Sequence, residues 1–188
     1  MKKLLFVFTG LLLVIVFTSC LTVERKDYSF KFAAKEGGEM TIVFYNILSS
    51  SEDGKDMSTK DFNDLINNYY KGTKIQDEYP TCKIIKKELY DDNGVLSAKI
   101  ILKFNKMADV KLYQHQNKGS IMLYISSIYE TYDKSNGQYG GDIMPVIFWK
   151  KSKKLTLTTK VQEPSKKTVS LLEKFKAWQE INEPYKAK

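Results

Sequence analysis

Residues 82–104 contain the pattern that most limits how this chain can fold. The four residues D-D-N-G at positions 91–94 lie between C-K-I-I-K-K-E-L-Y and V-L-S-A-K-I-I-L-K-F. Asn and Gly tolerate the positive φ angles that a tight hairpin turn requires. After the turn, apolar side chains occupy every second position, namely Leu96, Ala98, Ile100, Leu102 and Phe104. This period predicts an antiparallel hairpin with one buried face.

Two more pairs of alternating segments predict further hairpins. Tyr28, Phe30 and Phe32 alternate with other residues, and after the turn K-E-G-G-E the segment M-T-I-V-F-Y-N-I alternates again. Towards the C-terminus, M-P-V-I-F-W-K and L-T-L-T-T-K-V flank the short turn K-S-K-K. Turns of this length join antiparallel neighbours, because parallel strands need a long crossover connection.

Two segments have apolar residues at helical spacing. These residues are Phe62, Leu65, Ile66 and Tyr69 in the first segment and Leu171, Leu172, Phe175, Trp178 and Ile181 in the second. Ser58 and Asp61 resemble a capping box at the start of the first helix. The predicted fold class is therefore α+β, with a mainly antiparallel sheet built from hairpins and packed by two main helices at about 58–71 and 166–182.

The N-terminal residues 1–23 have the composition of an export signal. Two lysines precede residues 4–17, which are apolar except for Thr9 and Gly10, and the small residues Thr18 and Ser19 follow. A secretory signal peptide has its regions in this order. No charged residue occurs after those lysines until Glu24, so an uncleaved membrane anchor is the alternative.

Residues 17–20, F-T-S-C, resemble the lipobox that ends the signal peptide of bacterial lipoprotein precursors. Phe17 replaces the usual Leu or Val, whereas Thr18, Ser19 and Cys20 fit the pattern. The resemblance implies that the Cys20 thiol receives a diacylglyceryl group, that cleavage follows before Cys20, and that the new amino terminus is acylated as well, for example with palmitate. Each buried methylene contributes about 0.8 kcal/mol, so two or three acyl chains hold a protein on a membrane. The implied location is the bacterial cell envelope, outside the cytoplasm.

We expect three parts in the chain: a lipoprotein signal peptide at 1–19, a lipidated N-terminal segment at 20–27 and a single α+β domain at 28–188. The chain has 188 residues, of which 43% are hydrophobic and 28% charged, the composition of one globular domain with a real core. Its formal charge of +8 is spread over short lysine clusters, which is typical of a solvated surface; attraction to an anionic polymer or membrane is the alternative. Since the basic residues form no stripe, we expect no nucleic-acid partner.

The sequence contains no motif that identifies an enzyme. Glycine-rich phosphate loops, H-E-x-x-H and C-x-x-C are absent, and the single histidine, His115, cannot supply a His-rich metal site. We therefore assign no catalytic residue, metal or cofactor. Once Cys20 is acylated, Cys82 is the remaining thiol, and we interpret it as a buried core residue; a catalytic pair of Cys82 with His115 is the alternative.

The segment 128–142, I-Y-E-T-Y-D-K-S-N-G-Q-Y-G-G-D, places tyrosines among glycines and amide side chains. Recognition loops use this mixture of rigid rings and adaptable polar groups. Our candidate contact residues are Tyr129, Tyr132, Tyr139 and Trp149. The alternative is a surface connection whose tyrosines pack against the sheet edge.

Two classes of function agree with these observations. The first is a membrane-anchored envelope lipoprotein with a non-enzymatic binding or structural domain, whose partner is an envelope component, a glycan or an extracellular protein. The second is a membrane-tethered, carboxylate-dependent hydrolase acting on cell-wall glycans, because paired carboxylates leave no local sequence motif.

Overall fold

The computed structural model describes residues 20–33, 37–51, 54–150 and 152–182. The predicted signal peptide and the first three lipobox positions lie outside the described residues. The strands are β1 Leu21–Phe32, β2 Gly38–Ser50, β3 Lys83–Asp91, β4 Leu96–Phe104, β5 Tyr113–Gln114, β6 Ile121–Tyr124, β7 Thr131–Ser135, β8 Gln138–Tyr139, β9 Val146–Trp149, β10 Lys154–Lys160 and β11 Thr168–Ser170. The α-helices are α1 Ser58–Asp64, which continues as a π-helix over Leu65–Tyr70, α2 Lys74–Glu78 and α3 Leu172–Asn182. Short 3₁₀ helices span Met107–Val110 and His115–Asn117.

The strands form two antiparallel sheets. The main sheet has the order β3-β4-β2-β1-β10-β7, and β11 adds to β2 beyond the point where β4 stops pairing. The smaller sheet has the order β5-β6-β9-β8. The predicted α+β class, a mainly antiparallel sheet with two main helices, is confirmed.

Two of the three predicted hairpins form. In the β3–β4 turn, Asn93 and Gly94 have φ angles of 55° and 90°, and the Gly94 N–H donates to the Asp91 carboxylate at 2.7 Å. The third prediction is wrong, because β9 and β10 belong to different sheets: β9 pairs with β6 and β8, whereas β10 pairs with β1 and β7. Polar and apolar residues alternate in β9 and in β10, as in other strands. The buried faces of the two strands, however, meet across the core, so the strands are not neighbours in one sheet.

Strand β1 begins at Leu21, earlier than the domain start that we expected at residue 28. Residues 21–27 pair with β2 over most of their length, and Arg25 to Asp27 also pair with β10. The charged composition of L-T-V-E-R-K-D hides this strand from a hydrophobicity pattern, because its outer face is solvated. Residues 21–27 are therefore part of the sheet.

The main core lies between one face of the main sheet and the smaller sheet. Alternate side chains of β1, β2, β4 and β10 meet side chains of β6 and β9 there. The largest fully buried ones are Phe30, Met40, Ile42, Leu102, Phe104, Ile121, Ile147, Trp149 and Leu155. Burial of this apolar surface supplies the principal stabilisation of the fold.

A second apolar cluster packs the helices on the same sheet. Asn46 has a φ of 55°, and this left-handed residue interrupts the alternation of β2, so that Phe44 and Ile47 both contact the cluster. Phe62 and Leu65 of the first helical segment and Leu171 beside α3 complete it. The helices therefore cover the end of this sheet face that the smaller sheet does not cover.

The first helix begins at Ser58 as predicted, but its cap and the start of the C-terminal helix differ from the prediction. Ser58 and Asp61 form no capping box: the Ser58 N–H donates to the Asp56 carboxylate at 2.8 Å, and buried Asp61 accepts a hydrogen bond from Ser49 at 2.6 Å. The C-terminal helix begins at Leu172 instead of residue 166. Residues 168–170 form β11, because the edge of β2 beyond β4 offers them unpaired backbone groups.

The opposite face of the main sheet is polar. The Arg25 guanidinium lies 3.6 Å from the centre of the Tyr45 ring and 3.2 Å from the Asp27 carboxylate. The Thr158 hydroxyl also donates to Asp27 at 2.6 Å. Alternation of polar and apolar side chains along these strands is what a sheet with one solvated face requires. We call this side the open face.

Candidate functional site

Two adjoining cavities lie on the apolar side of the main sheet, next to α2 and the segment that links β6 to β7. The first, about 270 Å³, is the polar lobe, whose lining includes Lys26, Tyr28, Glu78, Tyr79, Ser127 and Glu130. The second, about 540 Å³, is the apolar lobe, whose lining includes Leu21, Val23, Phe44, Leu65, Ala98 and Val161. Lys26, Glu78, Ser127 and Glu130 line both lobes, so the two form one cleft. The apolar lobe has the size of a small-molecule site, for which the range is about 300–1,000 Å³.

Glu130 organises the polar lobe. The Lys26 ammonium donates to one carboxylate oxygen at 2.6 Å. The Tyr28 and Thr159 hydroxyls donate to the other oxygen at 3.2 Å and 2.8 Å. Both side chains of the Lys26–Glu130 pair are largely removed from solvent, and such a charge needs hydrogen-bonded partners of this kind. These contacts tie the segment before β7 to β1 and β10.

The two tyrosines of the polar lobe stay neutral over the ordinary pH range. Burial raises the pKa of Tyr28, and the neighbouring Glu130 carboxylate raises it further. Burial likewise raises the pKa of Tyr79, with Glu78 as the next cause. Both effects penalise the phenolate. The tyrosines therefore present hydroxyl groups that can donate and accept hydrogen bonds.

Strand geometry explains how these residues meet. Lys26, Tyr28 and Phe30 are two positions apart, so they share the covered face of β1. The pairing of β10 with β1 places Thr159 directly opposite Lys26. Glu130 directly precedes β7, and β7 pairs with the edge of β10 that faces away from β1. Sequence reasoning missed this cluster, because Glu130 is more than a hundred residues from Lys26 and the available signal was only one alternating strand.

Cys20 lies in the wall of the apolar lobe. Its carbonyl accepts a hydrogen bond from the Ser50 N–H at 2.9 Å, so the chain is already attached to the sheet one residue before β1 starts. Leu21 and Val23 follow it in the same wall. The predicted lipid-attachment residue and the apolar lobe are therefore neighbours.

Three large exposed side chains line the cleft or directly adjoin its lining in sequence, and we call them the rim. Tyr124, which lines the polar lobe, is 59% exposed, and Tyr129, which lines the apolar lobe, is 73% exposed. Ile128, next to Tyr129, is 87% exposed. Exposed apolar side chains that adjoin a cleft mark an interaction site more often than isolated ones do.

The predicted contact residues have three different settings. Tyr129 belongs to the rim. The rings of Tyr132 and Tyr139 stack, with centres 4.0 Å apart, against the edge of the core. The prediction of Trp149 as a surface contact is wrong, because its side chain is 1% exposed and its indole N–H donates to the Asn136 side-chain oxygen at 2.9 Å. A tryptophan on a short alternating strand looks the same in sequence whether it faces the core or the solvent.

Cys82 and His115 do not form a hydrogen-bonded pair. The buried Cys82 thiol donates to the Asp109 carbonyl, 3.6 Å away, and burial together with the Asp109 carboxylate raises its pKa. His115 lies on the surface, with its Nδ1 3.3 Å from the Tyr113 hydroxyl. A reactive cysteine needs the opposite environment, one that favours the thiolate.

The described part of the chain offers neither a metal centre nor a spanning helix. No group of three or more His, Cys, Asp or Glu side chains among those residues is placed to hold a metal ion. None of the helices found there has the length and apolar character needed to cross a bilayer.

Comparison of the chain with protein-family models found no match. Comparisons with curated proteins and with solved structures also found none.

Proposed function

We propose that this protein is a lipid-anchored lipoprotein of the bacterial cell envelope whose α+β domain binds a ligand in the cleft and catalyses no reaction. The observation that carries the proposal is the position of Cys20 in the wall of the apolar lobe. Acyl chains attached there would leave almost no linker between the membrane and β1. The anchor would then hold the mouth of the cleft at the membrane surface.

The rim supports the same orientation. Tyrosine combines an apolar ring with a polar hydroxyl, and such side chains favour the interface between lipid and water. Tyr129, which is 73% exposed, lines the apolar lobe together with Cys20, and the exposed Tyr124 lines the adjoining polar lobe. A bilayer facing Cys20 would therefore meet side chains suited to it.

One observation favours the hydrolase alternative: Glu78 and Glu130 both line the polar lobe. A glycoside hydrolase needs one carboxylic acid that donates its proton to the leaving group. Both oxygens of Glu130, however, already accept hydrogen bonds from Lys26, Tyr28 and Thr159. Because Glu130 is engaged in holding three segments together, binding is the better supported function.

The test of the anchor compares the wild type with Cys20→Ser and, as a matched control, Cys82→Ser. Cells producing each full chain are fed radiolabelled palmitate and then separated into membrane and soluble fractions. We expect label and membrane association in the wild type and in Cys82→Ser, and neither in Cys20→Ser. Label that persists in Cys20→Ser contradicts the proposal, and so does membrane association of that variant after its signal peptide has been cleaved.

A further inference from the structure

We propose that the ligand is a single-chain amphiphile with an uncharged, hydroxyl-bearing head, a class that monoacylglycerols represent. Its acyl tail occupies the apolar lobe and its head occupies the polar lobe. The inference rests on the proposed function, since the anchor brings the cleft to the membrane that supplies such a molecule.

The apolar lobe suits an acyl tail. Its volume is about 540 Å³, and side chains such as Leu21, Phe44, Leu65 and Ala98 line it. Each methylene that leaves water for such an environment contributes about 0.8 kcal/mol. The lobe is one cavity within the volume range of single-ligand sites, which favours one chain over two.

The polar lobe suits a neutral head. Lys26 is paired with Glu130 at 2.6 Å, and Lys111 is paired with Glu78 at 3.3 Å. An anionic head would compete with Glu130 for Lys26 and leave a carboxylate without its partner, which is costly away from water. A hydroxyl group donates and accepts, so it can bond to carboxylates and hydroxyls without breaking either ion pair.

The entrance is the rim together with Cys20. Tyr129 and Cys20 line the same apolar lobe, and Tyr124 lines the polar lobe. Ser127, between these tyrosines in sequence, lines both lobes. An amphiphile that leaves a bilayer here would find apolar side chains for its tail in one lobe and polar groups for its head in the other.

The test uses a monoacylglycerol that carries a photoactivatable diazirine in its tail and an alkyne reporter. Membranes from cells producing the full chain are illuminated with this probe, and the labelled peptides are mapped. We expect cross-links to the wall of the apolar lobe. Cross-links confined to the open face of the main sheet overturn the proposal.

Cavity-filling variants test the site itself. Ala98→Phe and Val161→Phe each place a ring in the apolar lobe, and either should lower labelling about tenfold, which corresponds to about 1.4 kcal/mol of binding free energy. Val43→Phe is the matched control, because Val43 lines a different pocket, of about 410 Å³, on the open face. If Ala98→Phe does not fold, Val161→Phe at the half-buried edge of the lobe still decides the matter. Labelling that is unchanged in the folded cavity variants refutes the assignment.

Competition identifies the head group. Unlabelled monooleoylglycerol should displace the probe at a concentration about tenfold lower than oleate, whose carboxylate would compete with Glu130 for Lys26. Equal competition by oleate overturns the neutral-head assignment. Palmitate incorporation at Cys20 is measured in the same samples. Wild-type protein that carries palmitate but takes no probe contradicts this inference alone, whereas protein without palmitate contradicts the proposed anchor.

Discussion

Raising the pH above about 10 should destabilise this protein, because two buried tyrosines would have to ionise. The pKa of Tyr28 and that of Tyr79 are raised above the ordinary value of 10.0, chiefly by burial and next by Glu130 and Glu78. The folded state therefore keeps protons that the unfolded state releases. The stabilisation is complete below the unfolded pKa and is lost progressively as the pH rises above it.

The size of the effect follows from proton linkage. Each proton held by the folded state and released by the unfolded state lowers the free energy of unfolding by about 1.4 kcal/mol per pH unit. Tyr28 and Tyr79 together give about 2.8 kcal/mol per pH unit above about pH 10. A domain with an ordinary free energy of unfolding, about 5–15 kcal/mol, would lose a large share of that free energy when the pH rises by about two units above pH 10.

Urea unfolding at several pH values between about 8 and 11 measures this slope. Tyr28→Phe should reduce the alkaline slope by about 1.4 kcal/mol per pH unit. At neutral pH it should cost about 1 kcal/mol, because the hydroxyl no longer donates to Glu130. Tyr113→Phe is the control, since Tyr113 is 57% exposed and should leave the slope unchanged. The reasoning is refuted if Tyr28→Phe has the wild-type slope, or if tyrosinate absorbance of the folded wild type shows every tyrosine titrating near its ordinary pKa.

Three further predictions concern packing and reactivity. Gly137→Ala should lower the free energy of unfolding by about 1–3 kcal/mol, because a Cβ there would lie 2.6 Å from two atoms of the Trp149 ring; thermal unfolding checks this, and an unchanged midpoint contradicts it. Ser49→Ala should cost roughly 1–3 kcal/mol in urea unfolding, because it removes the hydrogen bond to the buried Asp61 carboxylate; a stability equal to the wild type's would argue against that contact. The Cys82 thiol should react slowly with a thiol reagent near neutral pH until the protein is denatured, since burial raises its pKa. Reaction of the folded protein at the rate of a free thiol would contradict the buried position of Cys82.

The fold could be predicted from the sequence where the signal was local. The β3–β4 hairpin follows from Asn93 and Gly94, which adopt the positive φ angles that its turn needs. The first helical segment follows from its apolar spacing. Both depend on residues that are neighbours in the chain, so periodicity and turn chemistry are sufficient to identify them.

The errors arise where distant segments compete for the same partner. The strand β9 pairs with β6 because Ile147 and Trp149 are needed to close the core over the main sheet, and no pattern within β9 records that choice. Residues 168–170 have a strand partner only because β4 leaves the edge of β2 free. Tertiary context decided both outcomes.

The cleft was beyond sequence reasoning for the same reason. Lys26 and Glu130 are individually ordinary charged residues, and their contact at 2.6 Å depends on the order β1-β10-β7 in the main sheet. Cys20 could be singled out from its position after an apolar segment. Its place in the wall of the apolar lobe could not, because that wall is assembled from β1, β2, β4 and the first helical segment.

Mass spectrometry of the N-terminal peptide, from protein purified out of the membrane fraction, tests the central claim most directly. The account predicts a peptide that begins at Cys20 and carries a diacylglyceryl group on its sulfur. A peptide that still contains residues upstream of Cys20, or one that begins at an unmodified Cys20, would contradict the lipid anchor and the membrane-facing cleft that depends on it.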